Sequence, residues 1–245
     1  MAKFGRSDDL KGAEFFEVNL HGARFLECDL SGVVMRGVDI QAGDIDSPWL
    51  GEVGGSLKVN GIEVAPYVDA ELNRRFPGRA DRFAPEPDGL RAAWAAVERT
   101  WTALADRVAA MPEGTVDASV GGEWSFAQTQ RHLVHATDVW LGRAILQVEQ
   151  PFHRFGLPHD SSSLDQSVFA AEPPTYAEVL EARADRVGMV RDYLAAVTSE
   201  LLDEPRKNPW SPDNTMTVRA CLHVILGEEW EHYRFISRDL DTLPT

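Results

Sequence analysis

Residues 88–111 read DGLRAAWAAVERTWTALADRVAAM, with Leu90, Trp94, Val97, Trp101, Leu104, Val108 and Met111 separated by alternating steps of four and three. That spacing lays one unbroken apolar stripe along a helix, and Asp88 stands where an N-cap is expected. Downstream the pattern recurs. Ser125 and Gln128 form a capping box that opens a second helix running to about Val148. Thr175 and Glu178 form another, after Pro173-Pro174, with an apolar stripe of Leu180, Val187, Val190, Leu194, Val197 and Leu201. A fourth helix is predicted over 215–240. Four long helices, three of them strongly amphipathic, predict a mainly α fold built as a four-helix bundle over 88–245. The connection over 149–174 is long for a bundle loop and reads as a lid or an unordered segment.

Upstream the periodicity changes. From Leu10 every fifth residue is apolar: Leu10, Phe15, Leu20, Phe25, Leu30, Met35, Ile40 and Ile45. Smaller residues stand two places before most of them, including Ala13, Val18, Ala23 and Cys28. Neither a helix nor a strand sustains a period of five, whereas a chain that turns every five residues does. The large and the small residue would both point inward, which makes Cys28 core filler. Residues 1–48 are assigned to this segment and 49–87 to a hairpin and linker. Within the linker, LKVNGIEV around Asn60-Gly61 predicts a β-hairpin, VDAELNRRF a short helix, and the Pro/Gly-rich PGRADRFAPEPDG the boundary.

Composition narrows the function. The 245 residues carry 24 Lys+Arg against 39 Asp+Glu, a net charge of −15. Such a chain is a poor match to a nucleic-acid backbone. No apolar run reaches the ~18 residues a membrane span needs, and the opening MAKFGRSDDLKG lacks the apolar stretch of a secretory signal, so the cytoplasm is the expected compartment and no membrane partner is expected. Two cysteines cannot build a disulfide framework or a four-cysteine zinc site.

The residues that could carry chemistry are histidines and glutamates in RHLVHATDVW on the second helix and LHVILGEEWEHYRF on the fourth. Glu228 and His232, four apart, project from one face one turn apart; His223 lies on the opposite side. A carboxylate and an imidazole from one helix, joined by an imidazole from a facing helix, make a three-ligand N/O site that suits zinc and similar cations such as nickel and leaves a position open. Glu228 is the preferred carboxylate, and Glu229 is the alternative. His135 reads as a hydrogen-bonded helix histidine and Asp138 as an outer carboxylate, a cap or a surface residue. His153 and His159 read as solvated loop residues, His223 as exposed or packed on the repeat segment, and Cys221 as core.

Two resemblances follow. The VNL, ARF and CDL units of the N-terminal segment resemble the pentapeptide-repeat family, whose fold is a four-sided right-handed β-helix. WSFAQTQRHL and GEEWEHYRFISRDL are similar to segments of the DinB / YfiT-like metalloenzyme superfamily, the resemblance spanning about 88–240. It implies His132 as the ligand of the second helix, joined by the HxxxH pair of the fourth, whose first position here is Glu228 and whose second is His232. A His, Glu, His set is that of the mycothiol-dependent maleylpyruvate isomerase branch. The resemblance therefore implies a divalent metal, zinc first, and a thiol cosubstrate such as mycothiol in a transferase or isomerase acting on an electrophilic small molecule. That branch carries a further C-terminal domain which does not follow the bundle in these 245 residues, so maleylpyruvate isomerisation itself is not expected. A metal-dependent hydrolase with Glu229 or His135 as base, and a non-catalytic scaffold acting through the repeat segment, are the alternatives. A homodimer through the repeat or the hairpin fits any of them.

Overall fold

The computed structural model describes residues 3–5, 7–51, 54–158, 164–211 and 213–244. The chain divides into two units, Met1–Asp46 and Ser47–Thr245.

In the first unit the backbone turns with the period read from the sequence. Positive φ recurs every five residues, at Gly12, Glu17, Gly22, Glu27, Gly32, Gly37 and Ala42. The turn chemistry, however, repeats every ten. Ala13, Ala23 and Val33 donate backbone N–H to the carbonyls of Leu10, Leu20 and Leu30. The side chains of Asp9, Asn19 and Asp29 accept from the backbone of Lys11, His21 and Ser31 at 2.9–3.0 Å. Short Asx side chains stabilise such turns by mimicking a backbone acceptor. No strand is assigned among the described residues of this unit. The rows expected to point inward stay open, with Leu10 and Leu20 each 45 % exposed. Eight short units give each coil too few stacked neighbours to enclose a core. Cys28 is likewise exposed, its thiol donating to the Leu26 carbonyl at 3.3 Å, and is not core filler.

The second unit begins its regular structure with the hairpin β1 (Lys58–Val59) and β2 (Ile62–Glu63), paired Lys58 to Glu63 and Val59 to Ile62. Asn60 and Gly61 both have positive φ, the conformation a two-residue hairpin loop requires. Then come α1 (Ala65–Arg75), a 3₁₀ turn at Arg79–Phe83, and α2 (Pro87–Ala109). Glu86 is the N-cap of α2; Asp88 lies inside the first turn and pairs with Arg91 instead. The expected stripe is buried from Leu90 to Val108.

Helix α3 (Phe126–Thr137) opens on the Ser125/Gln128 capping box. It does not continue as an α-helix to Val148: from Asp138 to Ile145 the chain winds as a π-helix, and Leu146 donates back five residues to Leu141. Within it a Cβ on Gly142 would stand 2.6 Å from the Pro151 side chain, so the missing side chain lets the following loop close onto the helix.

Helix α4 (Tyr176–Ala196) opens on the Thr175/Glu178 box. The expected apolar stripe forms in part: Val190, Leu194 and Val197 are buried, and Val187 and Leu201 pack half-buried on the core. Leu180 is exposed, and Arg183 and Arg186 are buried beside Val179, Ala182, Val190 and Leu194. After the short α5 (Ser199–Leu202), strands β3 (Pro205–Lys207) and β4 (Thr215–Thr217) pair antiparallel, so α6 spans Val218–Leu240 rather than starting at Thr215. Ion pairs from α4 account for its masked periodicity: Arg183 meets Glu229, and Arg186 meets Asp138 at 2.7 Å.

Helix α3 packs on α4 and α6, and α2 packs on the same two, so α2 faces α3 across one diagonal of the bundle and α4 faces α6 across the other. The core they enclose includes Leu90, Trp94, Leu133, Leu141, Leu194, Leu226 and Trp230. No helix among the described residues is long and apolar enough to cross a membrane.

Candidate metal centre

His132, Glu228 and His232 converge where α3 meets α6. Each offers one ligand atom, and the three atoms lie within 4.8 Å of one another. The Oε2 atom of Glu228 stands 3.4 Å from His132 Nε2 and 3.2 Å from His232 Nε2. Four ligands at the ~2.1 Å bond lengths of zinc sites span tetrahedron edges of ~3.4 Å, and the two edges that meet at Glu228 Oε2 match that spacing. The i, i+4 spacing on α6 aligns Glu228 with His232, and α3 supplies His132 across the helix interface. Glu229 is not the alternative ligand. It turns the other way, fully buried, into a short ion pair with Arg183, whose Nε also donates to Gln130 at 3.1 Å.

The surroundings orient the set. His132 Nδ1 lies 3.1 Å from the Leu157 carbonyl, which can only accept, so Nδ1 carries a proton and Nε2 is the nitrogen turned toward Glu228 and His232. Burial opposes the charge on Glu228, yet the hydrogen bonds and charge of His132 and His232 outweigh it and hold this carboxyl well below the usual carboxylate range. Burial in turn lowers the pKa of His232, against the opposing pull of Glu228. Both tendencies favour the lone-pair forms that a cation requires.

Trp124, on the turn that follows Gly121-Gly122, covers both imidazoles. Its ring lies 4.6 Å from His132 and stacks at 5.8 Å on His232. The connection over 149–174 is docked on α3 in its described parts. Arg131 donates to the Phe155 carbonyl at 3.0 Å, and Leu157 donates to the Arg131 carbonyl at 3.1 Å. Asp138 does not touch a metal-site imidazole. It is buried, accepts from Arg186 and from the His153 backbone at 2.7 Å, and so anchors this loop to α4. His153 is half-buried rather than solvated, its Nδ1 accepting from Phe155. His159 lies outside the described residues.

The remaining residues separate clearly. His223 is half-buried within the second unit, 2.9 Å from the Ala84 carbonyl and edge-on to Phe83. Cys221 is core, and burial pushes its thiol up to about 11, far from a nucleophile at neutral pH. His135 is buried as well, but it is not the hydrogen-bonded histidine expected: neither ring nitrogen has a partner among the described residues. No residue spacing assigns a role to Trp124 or to the Leu157 carbonyl. Nor does any reveal the ion network Arg79–Asp69 (2.7 Å), Arg79–Glu231 (3.1 Å) and Arg82–Asp69 (2.8 Å) that ties α1 and the 3₁₀ turn to α6 beside His232. The tryptophan alone left a signal, as the residue before the Ser125 cap.

Comparison with known proteins accords with this geometry. No curated protein and no solved structure matches the chain significantly. Pentapeptide repeats, in eight copies, match residues 9–46. The DinB superfamily matches residues 96–236, more than half of the chain and all three members of the His/Glu cluster. On that extent of similarity, over a bundle of the expected helices, the chain belongs to the DinB superfamily.

Proposed function

We propose that this protein is a metal-dependent enzyme whose cation, zinc by the character of its ligands, is held by His132, Glu228 and His232, and whose nucleophile is a small thiol of the mycothiol type acting on an electrophilic small molecule. The observation that carries the reading is the convergence of two imidazole nitrogens and one carboxylate oxygen within 4.8 Å. Three protein ligands leave a position for an exogenous one. A divalent cation bound there would lower the pKa of a coordinated thiol and make it a thiolate at neutral pH.

The chain's own residues supply the rest. The Leu157 carbonyl fixes the His132 tautomer, and Glu228 contributes the negative charge that offsets the cation. Trp124 walls the site and limits the water around it. Cys221 of the same helix is buried and raised in pKa, which makes it a poor source of a nucleophilic sulfur and favours an exogenous thiol. A hydrolase using Glu229 as base finds less support, because that carboxylate is committed to Arg183.

The test is elemental analysis of the purified full chain, followed by conjugation of a small thiol to 1-chloro-2,4-dinitrobenzene. The expected result is one divalent ion per chain and thiol conjugation, both lost in His132→Ala. A chain that takes up no divalent metal, or whose conjugation is the same in His132→Ala, would overturn the reading.

A second reading concerns the first unit. Its exposed apolar rows, Leu10, Phe15, Leu20, Phe25 and Leu30 among them, exceed the scattered surface hydrophobes of a monomer. They favour an interaction role in which the repeat segment joins two copies of the chain, alongside the enzymatic function.

A further inference from the structure

One turn beyond His132 on α3, His135 is 3 % exposed, with both ring nitrogens unpartnered among the described residues. Its ring lies 6.5 Å from that of His132. Phe152 stacks on it at 5.5 Å and 23°, and Phe169 meets it edge-on at 5.7 Å. Gly156 passes so close that a Cβ there would come 3.4 Å from the His135 Cβ. A leucine or phenylalanine would fill this apolar clamp without leaving a buried donor and acceptor unpaired, which is costly in a dry interior. A polar ring kept in an apolar pocket beside a ligand cluster is the arrangement of a residue whose partner arrives from outside.

We propose that His135 is a substrate-binding residue, whose ring N–H donates to a neutral oxygen, a hydroxyl or an amide carbonyl, a few bonds from the sulfur of the thiol. The ligand class is thus narrowed from thiols in general to short oxygen-bearing thiols, with Phe152 and Phe169 the apolar surroundings beside His135. A neutral oxygen suits the site better than a carboxylate, since a charge would lose its hydration against two phenylalanine rings. This inference rests on the metal-site reading given above.

The test uses the full chain loaded with cobalt(II), with sulfur-to-cobalt charge-transfer absorption reporting thiol binding. Two isosteric probes are titrated, 3-mercapto-1-propanol and 1-butanethiol, which differ by a hydroxyl in place of a methyl. The wild-type chain is expected to bind the hydroxylated thiol about tenfold more tightly, the worth of one well-made hydrogen bond in a dry site. In His135→Leu that preference should vanish, while the metal-free variant melts at the same temperature as wild type or higher. Equal affinity of the wild-type protein for the two thiols overturns the inference while leaving the metal-site reading intact. So does a His135→Leu variant that melts lower and keeps the preference, because His135 would then be structural. Failure of the chain to take up cobalt overturns both.

Discussion

Burial, and after it the charge that His132 would carry, lowers the His135 pKa from 6.5 to about 4. The unfolded chain takes up a proton near 6.5 and the native chain does not until near 4. This residue's share of stability is therefore full above pH 6.5, declines as the pH falls through that window, and levels off below it. The decline can reach about 3 kcal/mol. Chemical denaturation of the metal-free protein should show a flatter slope between pH 6.5 and 4 in His135→Leu than in wild type. Spacing put Glu228 and His232 on one face, because residues four apart on a helix share a face whatever the tertiary structure, while His132 was implied by the family resemblance; the structure brings the three together. Spacing could not show that His135 lacks partners or that Asp138 serves the loop. Those facts depend on Phe152, His153 and Phe169, which reach α3 from a connection without a periodic pattern.

At the scale of elements, local signals transferred well and long-range charges did not. Both capping boxes formed as read, since each needs only four consecutive residues. The apolar part of the inner face of α4 was legible, but Arg183 and Arg186 look like surface residues until Glu229 and Asp138, each some 46 or more positions away, are brought against them. This arrangement has a measurable consequence. Arg183→Leu leaves Glu229 buried without its counter-charge and should lower unfolding free energy by about 3–5 kcal/mol, whereas the Arg183→Leu/Glu229→Leu double variant should recover most of that loss. Urea denaturation of the two variants and wild type checks both parts. The strand pair β3–β4 escaped notice for a related reason: three-residue strands are too short to show alternation.

For the molecule as a whole, the hydrophobic core is assembled from residues of the second unit, from Leu90 to Leu240. The His132, Glu228 and His232 cluster lies in that unit too. A chain beginning at Ser47 is accordingly expected to keep its helical circular dichroism and to bind one divalent ion, as read by far-ultraviolet spectra and elemental analysis. The full chain with Leu20→Lys and Leu30→Lys should then differ from wild type in mass by light scattering, the altered rows being those proposed to join two copies. The five-residue rhythm of the first unit was readable at once from its leucines and phenylalanines. Whether such rows close around a core was not, because closure depends on how many coils stack, a property that no single repeat encodes.

The Leu157 carbonyl that grips His132 also links two equilibria. A ligand held through Nε2 steadies the same ring that the loop holds through Nδ1, so occupancy of the centre and seating of residues 151–157 must favour one another to the same degree. The Leu157 amide, bonded to the Arg131 carbonyl, is the natural reporter. Its deuterium uptake should slow when zinc is added to the metal-free chain, and any substitution that unseats the strap, Gly142→Ala foremost, should loosen zinc by the factor through which zinc restrains the strap.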